Sequence, residues 1–222
     1  MAKQFDLGFY DMVNNDLYVQ PAFYLDKIMV SFPVHYDNIR VNDKRYLDMV
    51  SFGNMSNIML DRENMVHVSF IHDRKYFNWP ATRDNDTRDA RDYTASLGWY
   101  YFFAKNYEGF VNARYAINYE DTKGANWTYL GNRFTLSSVL PVSKIIRWSV
   151  AGDYYRQDFV KDNSTYEKER YDDVVTLSNV VAVKVYKDFE IQLQHTFVDD
   201  AAGIGVFKYK RNVYSVGVKY GF

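Results

Sequence analysis

The segment Arg211-Asn-Val-Tyr-Ser-Val-Gly-Val-Lys-Tyr-Gly-Phe222 decides how the rest of the chain is read. Taken alternately, Tyr214, Val216, Val218, Tyr220 and Phe222 fall on one face, and Val213, Ser215, Gly217, Lys219 and Gly221 on the other. A period of two marks a strand, because successive side chains of extended backbone point to opposite sides. One face is apolar and aromatic; the other is small or charged. That contrast suits a strand with hydrocarbon outside and water inside.

Working back from this segment, the same alternation recurs and predicts about twelve strands. The first three are expected over residues 4–13, 16–25 and from Ile28 to His35, with a tight turn at Asn14-Asn15 and a weak point at Pro21. A polar connection is expected over 37–45, and then a strand over 46–60 with a bulge near Gly53. Later strands set Val66, Val68 and Phe70 against His67, Ser69 and Ile71, and Tyr93 to Phe103 against Thr94, Ser96, Gly98 and Tyr100. Long polar connections are expected at 74–91, 121–127, 158–172 and 198–210, with short turns near 25, 61, 105, 141 and 186. Short turns on one side and long loops on the other are the asymmetry of a transmembrane β-barrel, whose periplasmic turns are short.

The composition allows little else. Tyr, Phe and Trp make up 18% of the 222 residues, 21 of them Tyr, and there are only four Pro, which favours one all-β domain. Mean hydropathy is −0.42, and no apolar run approaches the length of a membrane helix. A membrane protein of this composition is therefore a closed sheet, in which every backbone polar group is paired while only alternate side chains are apolar. The fold expected is a single antiparallel transmembrane β-barrel over residues 1–222, in a bacterial outer membrane. Met1-Ala-Lys-Gln carries no apolar signal segment, so a mature or trimmed start is expected.

Twelve strands tilted near 40° close into a tube about 24 Å across at the backbone, narrowed by side chains to about 10 Å. The inward residues form the candidate pore lining: Arg114, Arg133, Arg147, Asp153, Lys184, Glu190, Gln192, Gln194 and Lys219. Arg114, Arg133 and Asp153 are expected at similar heights on successive strands, as a charge cluster. These charges either brace a wet interior or select what passes, and their mixed signs argue against a strongly ion-selective pore.

Other chemistry is not expected. A balance of 27 basic and 28 acidic residues argues against a nucleic-acid partner, and the absence of Cys removes disulfides and thiolate sites. Asp84-Asn-Asp-Thr-Arg-Asp89 has acidic spacing like a calcium loop but lacks the turn glycine and puts Arg88 at a ligand position. His35, His67, His72 and His195 show no i,i+2 or i,i+4 pair, so no metal site and no cofactor are expected. A phospholipase-type barrel needs an outward Ser beside an outward His, and His195 has none in view, so no catalysis is expected.

Two resemblances add to this reading. The terminal Tyr214, Val216, Val218, Tyr220 and Phe222 resemble the C-terminal signature of bacterial outer-membrane β-barrels, which implies recognition by the barrel-assembly machinery through sheet-edge addition. Gly98-Trp-Tyr-Tyr-Phe-Phe103, Tyr129-Leu-Gly-Asn-Arg133 and Tyr209 to Phe222 resemble the barrel portion of tetratricopeptide-repeat outer-membrane proteins similar to surface lipoprotein assembly modifiers. That likeness implies an export conduit for lipoprotein or polymer, fed by a periplasmic repeat domain that this chain does not contain. A small diffusion porin and a plugged structural or adhesive barrel are the alternatives. Expected partners in each case are the lipid bilayer and lipopolysaccharide.

Overall fold

The alternation is realised as one antiparallel sheet in the computed structural model, which describes residues 11–104, 108–186 and 189–220. Its strands are β1 (Met12–Val19), β2 (Ala22–Leu25), β3 (Ile28–Ser31), β4 (Val34–Val41), β5 (Lys44–Met59), β6 (Asn64–Phe77) and β7 (Ala90–Phe102). They continue as β8 (Phe110–Thr122), β9 (Tyr129–Pro141), β10 (Ile146–Phe159), β11 (Tyr171–Tyr186), β12 (Phe189–Asp200) and β13 (Tyr209–Tyr220). From β4 onward each strand pairs with the next in sequence, and β1 lies beside β4. Among the described residues no pairing joins β1 to β13.

Two prolines account for the short pieces at the start. Val19 pairs with Val34 and Ala22 with Ser31 in one unbroken register, so β1 and β2 form one crossing of the sheet, and β3 and β4 another. Proline has no N–H to give the ladder, and the breaks fall at Pro21 and Pro33. Their carbonyls still accept, Pro21 from the Phe32 N–H at 3.0 Å and Pro33 from the Gly53 N–H at 3.1 Å. Among the described residues, two such joins reduce thirteen segments to eleven crossings. The strand expected over 4–13 lies outside the described residues except at its end, where Met12 and Val13 belong to β1.

Four expectations are corrected. Asn14 and Asn15 are not a turn but the middle of β1, facing Ile39 and Asn38. The segment 37–45 is mostly strand, and the chain reverses in the two residues Asn42 and Asp43, both at positive φ (48° and 59°), which Asn and Asp tolerate better than most residues. The bulge lies not near Gly53, where the register runs unbroken, but at Tyr46, the extra residue opposite Ile39 and Arg40. The connection read as 74–91 shrinks to 78–89, because β6 continues to Phe77 and β7 begins at Ala90.

What positions everything else is an inversion of polarity. On β7, Ser96 is 8% exposed while its neighbour Leu97 is 58% exposed. The pattern repeats along the sheet: Ser69, Asn112, Asn118 and Thr122 are buried, whereas Phe70, Tyr115, Phe134, Leu136 and Val216 are exposed. In water such a surface would be a continuous apolar patch far beyond what a soluble monomer carries. Against hydrocarbon it is the favourable side, and the buried polar face becomes the inner wall. Trp99 and Tyr101 stack on the outward face near the short-turn end, where an aromatic girdle belongs.

Candidate functional site

The inner wall carries a hydrogen-bonded chain of charged and polar groups across β6 to β10. The register puts Lys75, Glu120 and Tyr129 at neighbouring heights on their strands, with Asp92 beside them. Lys75 Nζ lies 2.6 Å from Glu120 Oε2 and 3.6 Å from Asp92 Oδ2. Tyr129 donates to the same Glu120 oxygen at 3.2 Å, and Asn118 donates to Asp92 at 3.1 Å. Tyr155 Oη sits 2.8 Å from Asn118 Oδ1 and 3.3 Å from Tyr129 Oη. Gly131 is required here: a Cβ on it would overlap Asn118 Oδ1 and fall 2.7 Å from Tyr155 Oη. One ammonium thus serves two carboxylates, and the polar groups around them leave few unpaired, which is what makes a charged interior tolerable.

The residues singled out in the sequence fall into three groups. Arg133 Nε and Asp153 Oδ2 form an ion pair at 2.8 Å, and Thr135 donates to the same oxygen at 2.7 Å. Arg114 stands at the height expected but apart from that pair, opposite Thr135 on one side and Gly98 on the other. Near the short-turn end Arg147 pairs with Glu190 at 3.2 Å, and Gln192 donates to Glu190 at 2.6 Å. Lys184 and Lys219 both face Glu190 across the ladder, and with Arg147 they line a cavity of about 440 Å³. Gln194 turns to Thr196 at 3.4 Å. Among the described residues Arg114, Lys184, Arg211 and Lys219 make no ion pair. Of the terminal signature, Tyr214, Val216, Val218 and Tyr220 lie outward and exposed on β13, and Phe222 lies outside the described residues.

The long loops are packed rather than splayed, and this was not read from the sequence. Arg170 is buried, donates twice to Asp172, and has its guanidinium carbon 3.7 Å from the Phe207 ring centroid, 4.1 Å from Phe159 and 5.0 Å from Trp127. Arg88 stacks on the other contact of Trp127 at 4.0 Å. Asn126, 2% exposed, ties three loops together: it donates to Asp86 at 2.7 Å and to Ser164 at 3.0 Å, and accepts from the Ser164 N–H at 2.8 Å. A guanidinium enclosed by three rings and a carboxylate binds these loops rigidly to one another at the long-loop ends of β10 and β11. Outside the strands, Asp89 bridges the first two loops. Burial pushes its carboxyl up, but the Lys123 ammonium at 2.8 Å and the Phe77 N–H at 2.7 Å outweigh that and hold it below the ordinary value. The Asp84 segment is used structurally, since Asp86 is taken by Asn126 and Arg88 by Trp127.

Lys75, Asp92 and Glu120 lie in or beside the expected connections, whose edges leave β6, β7 and β8 two to four residues short. Parity alone would have found them: 67, 69, 71, 73 and 75 share the inward face of β6. The knot around Arg170 had no comparable signal, because Trp127, Arg170 and Phe207 come from three separate loops and Phe159 from the end of β10.

No protein-family model matches the chain, and no curated protein matches its sequence. Solved structures do match its shape. A loop L8 deletion mutant of OmpT, an outer-membrane protein of Vibrio cholerae, superposes with a TM-score of 0.63 at 11% identity, covering 91% of this chain. This chain spans 62% of the length of that one. The NanC porin matches with a TM-score of 0.58 at 11% identity, over 95% of this chain and 97% of its own. In-vitro folded OmpT matches at 0.57 and 9% identity, over 95% of each chain. The OmpT likeness also corrects one expectation: a fold shared at 9–11% identity assigns no activity, and the exclusion of catalysis made from the sequence does not stand. What the chain does have is the fold, and the lipid-facing surface, of an outer-membrane β-barrel.

Proposed function

We propose that this chain is a conduit of the outer membrane, a barrel whose polar inner wall carries hydrophilic solutes past the bilayer. The observation that carries this reading is the inversion itself: on β6 to β8 the polar residues Ser69, Asp92, Ser96, Asn112, Asn118 and Thr122 are buried behind an exposed apolar face, and the same alternation of polar and apolar residues continues to β13. The match to the NanC porin over nearly the whole of both chains supports the same reading. In it, Arg114, Arg133, Arg147, Asp153, Lys184, Glu190, Gln192, Gln194 and Lys219 line the path. The unpaired Arg114, Lys184, Arg211 and Lys219 favour anions, and the surplus carboxylates Asp73, Asp92 and Glu120 around Lys75 offset them toward the long loops, so the path is only weakly selective.

A second reading, the barrel of an export system for lipoprotein or polymer, rests on the resemblance of 98–103, 129–133 and 209–222 to tetratricopeptide-repeat outer-membrane proteins. The packed loops favour it, since loops bound to one another suit gated passage better than free diffusion. The terminal aromatic strand and the outward apolar belt imply the barrel-assembly machinery and lipopolysaccharide as partners of either.

Planar-bilayer conductance separates the two. A steady open current supports the diffusion pore, and a closed barrel supports export. In an open pore, Arg114→Ala with Arg133→Ala removes one free cation and releases the Asp153 carboxylate, so the reversal potential moves toward cation preference. An unchanged reversal potential removes both residues from the path.

A further inference from the structure

We propose that Met29, Met59, Met65 and His67 form a binding site for a soft monovalent cation, Cu(I) or Ag(I), on the inner wall. Six methionines lie among the described residues, and the register places all six on the inward face: Met12 on β1, Met29 on β3, Met49, Met55 and Met59 on β5, and Met65 on β6. If methionine were only filling apolar space, it would share the outward face with Leu, Val and Phe. None of the six does.

Three of these methionines and His67 occupy two adjacent rows of the inner wall. Met59 and Met65 stand directly opposite each other on β5 and β6. One step toward the long loops, Met29 and His67 flank Asn57, which pairs with both. Met59 and Met65, directly opposed, hold their Cβ atoms about 5 Å apart. Met29 and His67 stand two strand spacings apart, about 10 Å, a gap that the long thioether of Met29 and the imidazole would close from opposite sides of Asn57. His67 is buried, and its Nδ1 lies 2.8 Å from Asn57 Oδ1. Donation to that oxygen fixes the tautomer and leaves Nε2 with a free lone pair, the arrangement a ligating histidine needs. On its other side His67 faces Gly98, over which the Asn112 and Arg114 side chains lie.

The donor set selects the ion. Thioether and imidazole are neutral and soft, and the chain has no Cys to compete as a softer ligand. No carboxylate stands at these positions on β3, β5, β6 and β7, and Arg114 lies just beyond Gly98. Nothing there neutralises a second positive charge, so a monovalent soft ion is favoured over Zn²⁺ or Ca²⁺.

The test is titration of the whole chain, folded in detergent, with silver nitrate in chloride-free buffer, followed by calorimetry. Silver stands in for Cu(I) without redox chemistry. The proposal expects one tight equivalent, lost by on the order of tenfold or more in affinity in the Met59→Leu, Met65→Leu double variant. Leucine conserves volume, so folding is kept. Met12→Leu with Met49→Leu, on the same face away from the four donors, should bind as the parent does. Absence of silver binding, unchanged affinity in the Met59/Met65 variant, or equal binding of zinc at the same residues each overturns the proposal.

Discussion

Leu97→Arg places a charge in the middle of the outward face, and its cost separates a lipid-facing sheet from a water-facing one. Leu97 is 58% exposed on β7, between Val68 of β6 and Tyr115 of β8, which are 42% and 49% exposed. Little packing is lost there, so the side chain responds mainly to its solvent. In water the replacement falls within about 0.5 kcal/mol of neutral. At the midplane of a bilayer an outward Arg costs about 2–4 kcal/mol. That is roughly thirtyfold to nearly a thousandfold in the folding equilibrium. Urea unfolding in phosphatidylcholine vesicles, read by tryptophan fluorescence, measures the difference. Gln194→Arg on the inward face is the companion variant and should stay near the parent. A Leu97→Arg protein within about 0.5 kcal/mol of the parent would refute the assignment of faces.

Gly131→Val pushes Asn118 off Tyr155 and leaves buried polar groups unpaired, so the same assay should show a loss of about 1–3 kcal/mol; parent-like stability would mean that the wall network can rearrange freely. Arg170→Met leaves the Asp172 carboxylate buried without its partner, at a cost of about 3–5 kcal/mol, and should raise conductance by loosening the mouth. An unaltered current in that variant would place the packed loops off the path. The link between Asp89 and Lys123 has a defined pH window. The Asp89 carboxyl is held below its ordinary value and the Lys123 ammonium above its own, so the link is complete between them. It weakens only as pH falls below about 4 or rises above about 10.4. Spin labels on the 78–89 and 123–128 loops should therefore keep a constant separation from about pH 5 to 9. Separation already widening at mildly acidic pH would count against the link.

How much the sequence disclosed follows from the same inversion. Strands β7 to β13 were legible because each alternates large apolar residues with small or charged ones, as Leu97 and Trp99 do with Ser96 and Gly98. The first third was harder. Asp37, Asn38 and Arg40 look like loop residues because a soluble protein keeps such groups out of strands. Here Asp37 is 6% exposed on the inner wall beside Asn14 and His35. Asn14 and Asn15 misled in the same way, because one faces polar neighbours on that wall. Within the site, parity put Arg133 and Asp153 on the wall, and the register between neighbouring strands made them a pair. Arg170 carried no such signal, since its rings come from residues 127, 159 and 207, brought near only when the loops fold over the mouth.

Quenching of individual tryptophans by brominated lipids puts the question of the two faces most plainly. Trp99 and Trp148 point outward, at 44% and 39% exposed, while Trp127 is enclosed at the mouth with Arg88 and Arg170. In vesicles, single-tryptophan variants should show strong lipid quenching and no iodide quenching at 99 and 148, and no lipid quenching at 127. Iodide quenching at 99 and 148 without lipid quenching would mean that water, not hydrocarbon, touches the apolar face.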